Sequence, residues 1–367
     1  MITKLLPPLI IGDLKINVPI IQGGMGVKIS TAALAGAVAN CGGAGTIASV
    51  GLAQGRITDS NNYIEYSNKA LQKEIRKARK LTKGVFGVNI MVALSNYEEL
   101  VRTAVKEKVD YIISGAGLPL NLPKYTQGSS VKLITIVSSA RSASIILKTW
   151  KRRYNRLPDA IIVEGPMAGG HLGFKADQLN SNTTDNLMTL VTDVIKTVKD
   201  FKADIPVIAA GGVYDGKDLI KFLELGAKGV QMGTRFVATE ECPVSKRFKD
   251  LYVAAQEDDV IITQSPVGMP GRVLKTEFIN RLKRSEKIPF KCNFHCLHSC
   301  DVKSAPYCIA QAMCSALKGD FDNSIVFAGS NVTRINKIVS VAELIKSIIE
   351  EAAECLIGKL KTKSEKN

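Results

Sequence analysis

The residues best suited to chemistry sit in one stretch, 160–174, where a short apolar run passes into Glu164-Gly-Pro-Met-Ala-Gly169-Gly170-His171-Leu-Gly173. The run reads as a buried strand and the glycines as the loop leaving it. His171 is the only histidine before position 295, and an imidazole of unperturbed pKa about 6.5 takes or gives a proton near neutral pH. Glycines beside it let the backbone approach a flat or phosphorylated ligand where a Cβ would collide. Taken alone, a histidine after a strand fits a hydrogen-bonded loop residue as well as a catalyst. The other strand ends have to decide.

A second set of candidate ligands lies downstream. Five of the eight cysteines fall between 292 and 314, as Cys292-x3-Cys296-x3-Cys300-x7-Cys308 and then Cys314, interleaved with His295 and His298. Four thiolates suit an iron–sulfur cluster or zinc. The spacing matches neither a zinc finger nor the Cys-x2-Cys run of ferredoxins, so a set of reduced thiols stands beside the metal reading. Cys314 falls on the helix that follows and reads as a packing residue, as do the scattered Cys41, Cys242 and Cys355.

Positioning such groups requires a scaffold, and the apolar runs supply a regular one. Strand signals at 18–22, 44–49, 85–92, 111–114, 132–137, 160–163, 206–210 and 228–232 alternate with compact connections, including helices at 30–41, 96–109, 140–154, 184–201 and 216–225. Ser30 stands where a side chain can cap the first helix. Eight strands in this alternation predict a closed (β/α)8 TIM barrel of α/β class, more than an open doubly wound sheet. The strands end in Gly23, Ser49, Asn89, Gly115, Ser138, Gly165, Gly211 and Gly233. In a barrel those ends meet on one face, where sites are built.

Asn89 interrupts an apolar strand and calls for partners, because burying an amide without hydrogen bonds costs about 2 kcal/mol or more. Gly211-Gly212 and Gly233-Thr234 follow strands seven and eight, the loops that commonly cradle a phosphate in barrels. With His171 and Gly23-Gly24-Met25 they outline a site for a phosphate-bearing cofactor with a flat ring across the barrel mouth. The competing reading makes all these glycines tight barrel turns.

The barrel accounts for residues 1–240. After it the alternation stops: 241–330 reads as helical stretches, a Pro- and Gly-rich segment at 265–271 and the cysteine cluster, forming a lid or subdomain, and 331–367 as a C-terminal helix packing on the barrel. The chain has 367 residues, 46% of them hydrophobic, and no apolar run nears the roughly 18 residues that cross a bilayer. The first ten residues lack the apolar run and cleavage site of a secretory signal, and unpaired cysteines suit a reducing compartment, so a cytoplasmic location is expected.

The formal net charge of +15 is local, concentrated at 69–83, 148–156 and 281–291. In the first patch Ile64, Leu71, Ile75 and Ala78 recur at helical spacing, so the charges form a solvated helix face. No nucleic-acid motif accompanies them. An acidic protein carrier of substrate would nonetheless be attracted by such a surface.

The segments Pro19-Ile-Ile-Gln22-Gly23-Gly24-Met25, Gly87-Val-Asn89-Ile-Met91, Glu164 to Gly173, Val207-Ile-Ala-Ala-Gly-Gly212 and Val230-Gln-Met-Gly-Thr-Arg-Phe236 resemble those of the nitronate monooxygenase family. That family includes the flavin-dependent enoyl-ACP reductases. The resemblance implies an FMN-binding barrel, with FMN against Gly23, Gly24, Met25 and Asn89 and with Gly169 and Gly170 near its ring. It sets Gly212, Gln231, Met232, Gly233 and Thr234 around the phosphate, has Glu164 and Gly211 border the same cofactor, and makes His171 catalytic. Glu164 stands where nitronate monooxygenases have glutamine, in the manner of the enoyl reductases, while Met167 replaces a glutamate common to both. The leading expectation is oxidation of a small alkyl nitronate with O2. The alternatives are an NAD(P)H-dependent reductase of enoyl thioesters, borne by acyl carrier protein, or of quinones, and a flavin-binding protein with a metal module and little catalysis. A homo-oligomer is compatible with any of these.

Overall fold

The computed structural model describes residues 5–53, 62–292 and 294–364. The first four residues, part of the stretch judged for a secretory signal, lie outside the described residues. Strands β1 (Leu9–Ile11) and β2 (Leu14–Ile16) make a short antiparallel hairpin. There follow β3 (Ile20–Gln22), β4 (Gly45–Ala48), β5 (Phe86–Met91), β6 (Tyr111–Gly115), β7 (Lys132–Val137), β8 (Ala160–Glu164), the two-residue β9 (Gly170–His171), β10 (Val207–Ala210) and β11 (Gly229–Met232). All but the hairpin and β9 form one eight-stranded parallel sheet in the order β3-β11-β10-β8-β7-β6-β5-β4. Its two ends meet at a parallel bridge between Ile21 and Ala44, with Gln22 N–H donating to Ala44 O and Ala44 N–H to Ile20 O, both at 2.9 Å. The barrel expected from the strand signals is closed there.

The near-continuous apolar strands are what a parallel sheet covered on both faces needs. Ile21, Ile113, Ile134, Ile162 and Ile208 point into the barrel with Ala44, Ala160 and Ala210, while Val88, Ile112, Leu133, Ile161 and Val163 pack outward among the helices. Leu9, Ile11 and Ile16 of the hairpin join the inner cluster. They plug the end of the barrel opposite the site.

The helices are α1 (Ala32–Asn40), α2 (Tyr63–Leu81), α3 (Tyr97–Lys106), α4 (Leu122–Tyr125), α5 (Ala140–Tyr154), α6 (Ala176–Asn180), α7 (Leu187–Asp200), α8 (Gly216–Leu225), α9 (Thr234–Val237), α10 (Lys246–Ala254), α11 (Glu277–Lys283), α12 (Ile309–Leu317) and α13 (Val341–Ser364). Two local expectations fail. Ser30 does not cap α1, whose N-cap is Thr31 with no side-chain bond; its hydroxyl is taken by Met25 N–H and Gln22 Nε2, at 2.9 and 2.7 Å. Ile64 lies outside the buried stripe of α2, which runs through Tyr63, Ser67, Leu71, Ile75 and Ala78.

The segment after the barrel is not all helical. Strands β12 (Val260–Gln264), β13 (Pro270–Leu274) and β14 (Val326–Phe327) form an antiparallel sheet, and β13 also pairs with β9. Their Val and Ile content suits strands. Helix α13 then packs against both α8 and α1, where a regular barrel has its eighth helix. Glu351 anchors it by accepting the Gly216 N–H at 2.9 Å.

Candidate active site

The loop carrying His171 is built from both halves of the chain. Arg272 of β13 donates through Nη1 to Pro166 O and to Ala168 O, the latter at 2.7 Å. Leu172 N–H donates to Pro270 O at 2.8 Å, and Ser330 N–H to Met167 O at 3.1 Å. Gly170 bends the chain between these anchors at φ +84°, a conformation that disfavours any residue with a Cβ. The imidazole is thereby held on the cavity wall. Its Nε2 lies 2.8 Å from Ser265 Oγ, and its ring rests on Phe327 at a centroid distance of 4.9 Å.

Ser265 is itself buried, and its Oγ also receives the Val267 N–H at 3.3 Å. A hydroxyl can both donate and accept, so it serves either tautomer of the ring. Among the described residues Nδ1 has no hydrogen-bond partner.

Every residue expected around the cofactor lines this one cavity: Gly23, Gly24 and Met25 after β3, Asn89 in β5, Glu164 at the end of β8, Gly169 and Gly170 in the histidine loop, Gly211 and Gly212 after β10, and Gln231, Met232, Gly233 and Thr234 at β11. Of the other strand ends, Gly115 lines it as well, whereas Ser49, Ser138 and Gly165 do not. Among the described residues the Asn89 amide has none of the expected partners: it lines the cavity beside Gly24, where an added Cβ would strike it. Gln231 is similar, buried yet with Oε1 unpaired. Two amides without protein partners at one opening fit a ligand rich in ring nitrogens and carbonyls, as a flavin is.

At the β11 end Thr234 Oγ1 accepts the Gly329 N–H at 2.9 Å, and Asn331 Nδ2 donates to Gly212 O at 2.6 Å. Residues 329–331 thus fix the loops expected to take the phosphate. The cavity contains two titratable groups displaced in opposite senses. Burial pushes the His171 imidazole down to about 4 and the Glu164 carboxyl up to about 7. Each is held toward its neutral form because desolvation disfavours charge.

Several contributors escaped sequence reading. Tyr63, Tyr214 and Val267 line the cavity, and Ser265 and Arg272 set its histidine. Tyr214 stands just past Gly212 without a motif of its own, and the others are distant in sequence from the strand ends they complete. Of the cysteine cluster, Cys296 lines the cavity and Cys292, Cys300 and Cys308 do not. Among the described residues no three His, Cys, Asp or Glu side chains close in as they do around a single metal ion, and no helix is long and apolar enough to cross a membrane.

This geometry agrees with what the chain is similar to. The family model for nitronate monooxygenase matches residues 8–351. FabK from Thermotoga maritima superposes with a TM-score of 0.74 and 30% identity, covering 94% of this chain and 95% of that one. A hydroxy-methyl-oxo-octahydro-indene-carboxyl-CoA dehydrogenase of Rhodococcus jostii is 33% identical over 267 residues, 73% of this chain and 65% of the relative. A probable nitronate monooxygenase of Staphylococcus aureus is 28% identical over 309 residues, 74% of this chain and 79% of the relative. The chain belongs to the nitronate monooxygenase family of FMN-dependent oxidoreductases.

Proposed function

We propose that the enzyme oxidises small alkyl nitronates with O2 at FMN held across the barrel mouth. The observation that carries the reading is His171, an imidazole kept neutral by burial, fixed through Nε2 and free at Nδ1 on the wall of a flavin-sized opening. When bound, FMN supplies the redox chemistry between substrate and O2. Asn89 and Gln231 offer the amides that hold and orient its ring, while the backbone at Gly212, Gly233 and Thr234 takes the phosphate. In one tautomer Nδ1 of His171 donates to a nitronate oxygen, and in the other it accepts the α-proton of a neutral nitroalkane to give that nitronate. Ser265 keeps the ring from turning in either case. Met91, Val267 and Phe327 line the opening with apolar surface and limit water there.

A second reading is favoured by the similarity to FabK over nearly the whole chain and to an enzyme acting on a CoA thioester. In it, NAD(P)H reduces the flavin and His171 assists protonation of an enoyl thioester. The basic faces then suit an acidic acyl carrier protein as partner. Anaerobic stopped-flow mixing separates the two. Flavin reduction by an alkyl nitronate, with no bleaching by NADH or NADPH, supports the first; fast bleaching by a nicotinamide with an inert nitronate replaces it with the second.

A further inference from the structure

The cysteine segment has no task in the proton chemistry above, yet it is fastened to the site. Leu297 bridges to Leu94 in the loop leaving β5. Ser95 N–H donates to Cys296 O at 3.1 Å, and His298 N–H to Ala93 O at 3.0 Å. Cys296, Leu297, Ile309, Ala310 and Met313 all face the flavin cavity. The segment therefore forms one wall of the opening.

At that wall the four sulfurs of the motif gather. Burial, and after it the neighbouring Cys308, Cys292 and Cys300, push the Cys296 thiol up, and burial with Cys292 and Cys308 does the same to Cys300, so the four sulfurs lie within electrostatic reach of one another. All four are partly buried and none is in a disulfide. Cys308 is the N-cap of α12, at the end of the helix where the first backbone N–H groups lie. His295 and His298 are exposed, so the gathered set is all sulfur.

Among the described residues no three His, Cys, Asp or Glu side chains are placed around a single metal ion, so the choice of metal rests on what the sulfurs adjoin. A cluster takes one thiolate at each iron corner. The neighbour of Cys296 is a redox cofactor's cavity, the place where an electron carrier has a use.

We propose that Cys292, Cys296, Cys300 and Cys308 ligate a four-iron iron–sulfur cluster seated at the wall of the flavin cavity. The assignment is independent of which substrate the flavin serves, because its test reads metal and sulfide rather than turnover.

The full chain, purified anaerobically from iron-supplied cells, is assayed for iron, acid-labile sulfide, zinc and FMN. The expected result is about four iron and four sulfide per chain, with a broad visible absorbance that dithionite bleaches and an EPR signal in the reduced protein. One zinc per chain without sulfide overturns the proposal. So does protein that stays iron-free after reconstitution with ferrous iron and sulfide. Cys300→Ser and Cys308→Ser are expected to lose most of the iron and sulfide while keeping FMN, whereas Cys355→Ser keeps all three. Full iron in both ligand variants would overturn the assignment, and the wild-type metal content decides the matter should those variants fail to fold.

Discussion

His171 and Glu164 share a cavity but not an electrostatic history. The imidazole, pushed down to about 4, stays neutral over the range where an exposed histidine protonates, near 6.5. If it acts as the base, the acidic limb of kcat/KM against pH lies nearer 4 than 6.5. His171→Ala should cost about 10²- to 10⁴-fold in kcat, the usual yield of one positioned acid–base group, with FMN still bound. Ser265→Ala should lower kcat roughly tenfold, about 1.4 kcal/mol, with little change in KM, because it releases the ring's orientation and not the substrate. Equal kcat in wild type and variant would remove Ser265 from the mechanism.

Glu164 adds a stability signature. Its carboxyl, raised to about 7, holds a proton in the folded state across the window from its ordinary value of 4.5 up to 7, so its contribution falls as pH rises through that window. His171 works the other way: between about 4 and its ordinary value of 6.5 the unfolded chain binds the extra proton, so stability rises with pH. The two slopes oppose each other from 4.5 to 6.5. Glu164→Gln removes one of them, and the Tm of the flavin-free variant should climb more steeply between pH 5 and 6.5 than that of the wild type. Parallel Tm profiles would mean that Glu164 titrates normally.

At the scale of elements, the barrel was legible in the sequence because each strand is a short apolar run and each ends in a small residue. Glycines at the cavity are needed for contact rather than for turning alone: a Cβ on Gly24 would strike Asn89. A close-packed interior leaves no slack for a displaced amide, so Gly24→Ala should weaken FMN retention by at least about tenfold, as measured by flavin remaining after dialysis. The insertion was less legible. Residues 265–271 read as a Pro- and Gly-rich loop among helices, whereas 265–269 are the tip joining β12 to β13 and Pro270 and Gly271 open β13 itself. Ser265 reaches His171 from 94 positions away, and β9 is two residues long, too short to show a period. Ser30 failed as a cap for a different reason, since Met25 N–H and Gln22 compete for its hydroxyl.

At the scale of the molecule, the long insertion between β11 and α13 separates the last barrel strand from the helix that completes the outer ring. Closure of the ring then depends on the C-terminal segment returning to the barrel. Ile345, Ile348 and Ala352 of α13 are buried, Ile348 at 0% exposure, in the same core cluster as Leu34, Val38 and Leu219 from α1 and α8. Glu351 adds the bond to Gly216 at the start of α8. If α13 is an integral barrel helix, Ile348→Ala should cost about 2–5 kcal/mol, the range for a large aliphatic side chain removed from a packed core. The loss should appear as a lower midpoint in one cooperative urea transition that includes the flavin signal. An early transition confined to part of the far-UV signal, with FMN still bound, would instead make α13 a peripheral strap, and the barrel would have to stand without its eighth helix.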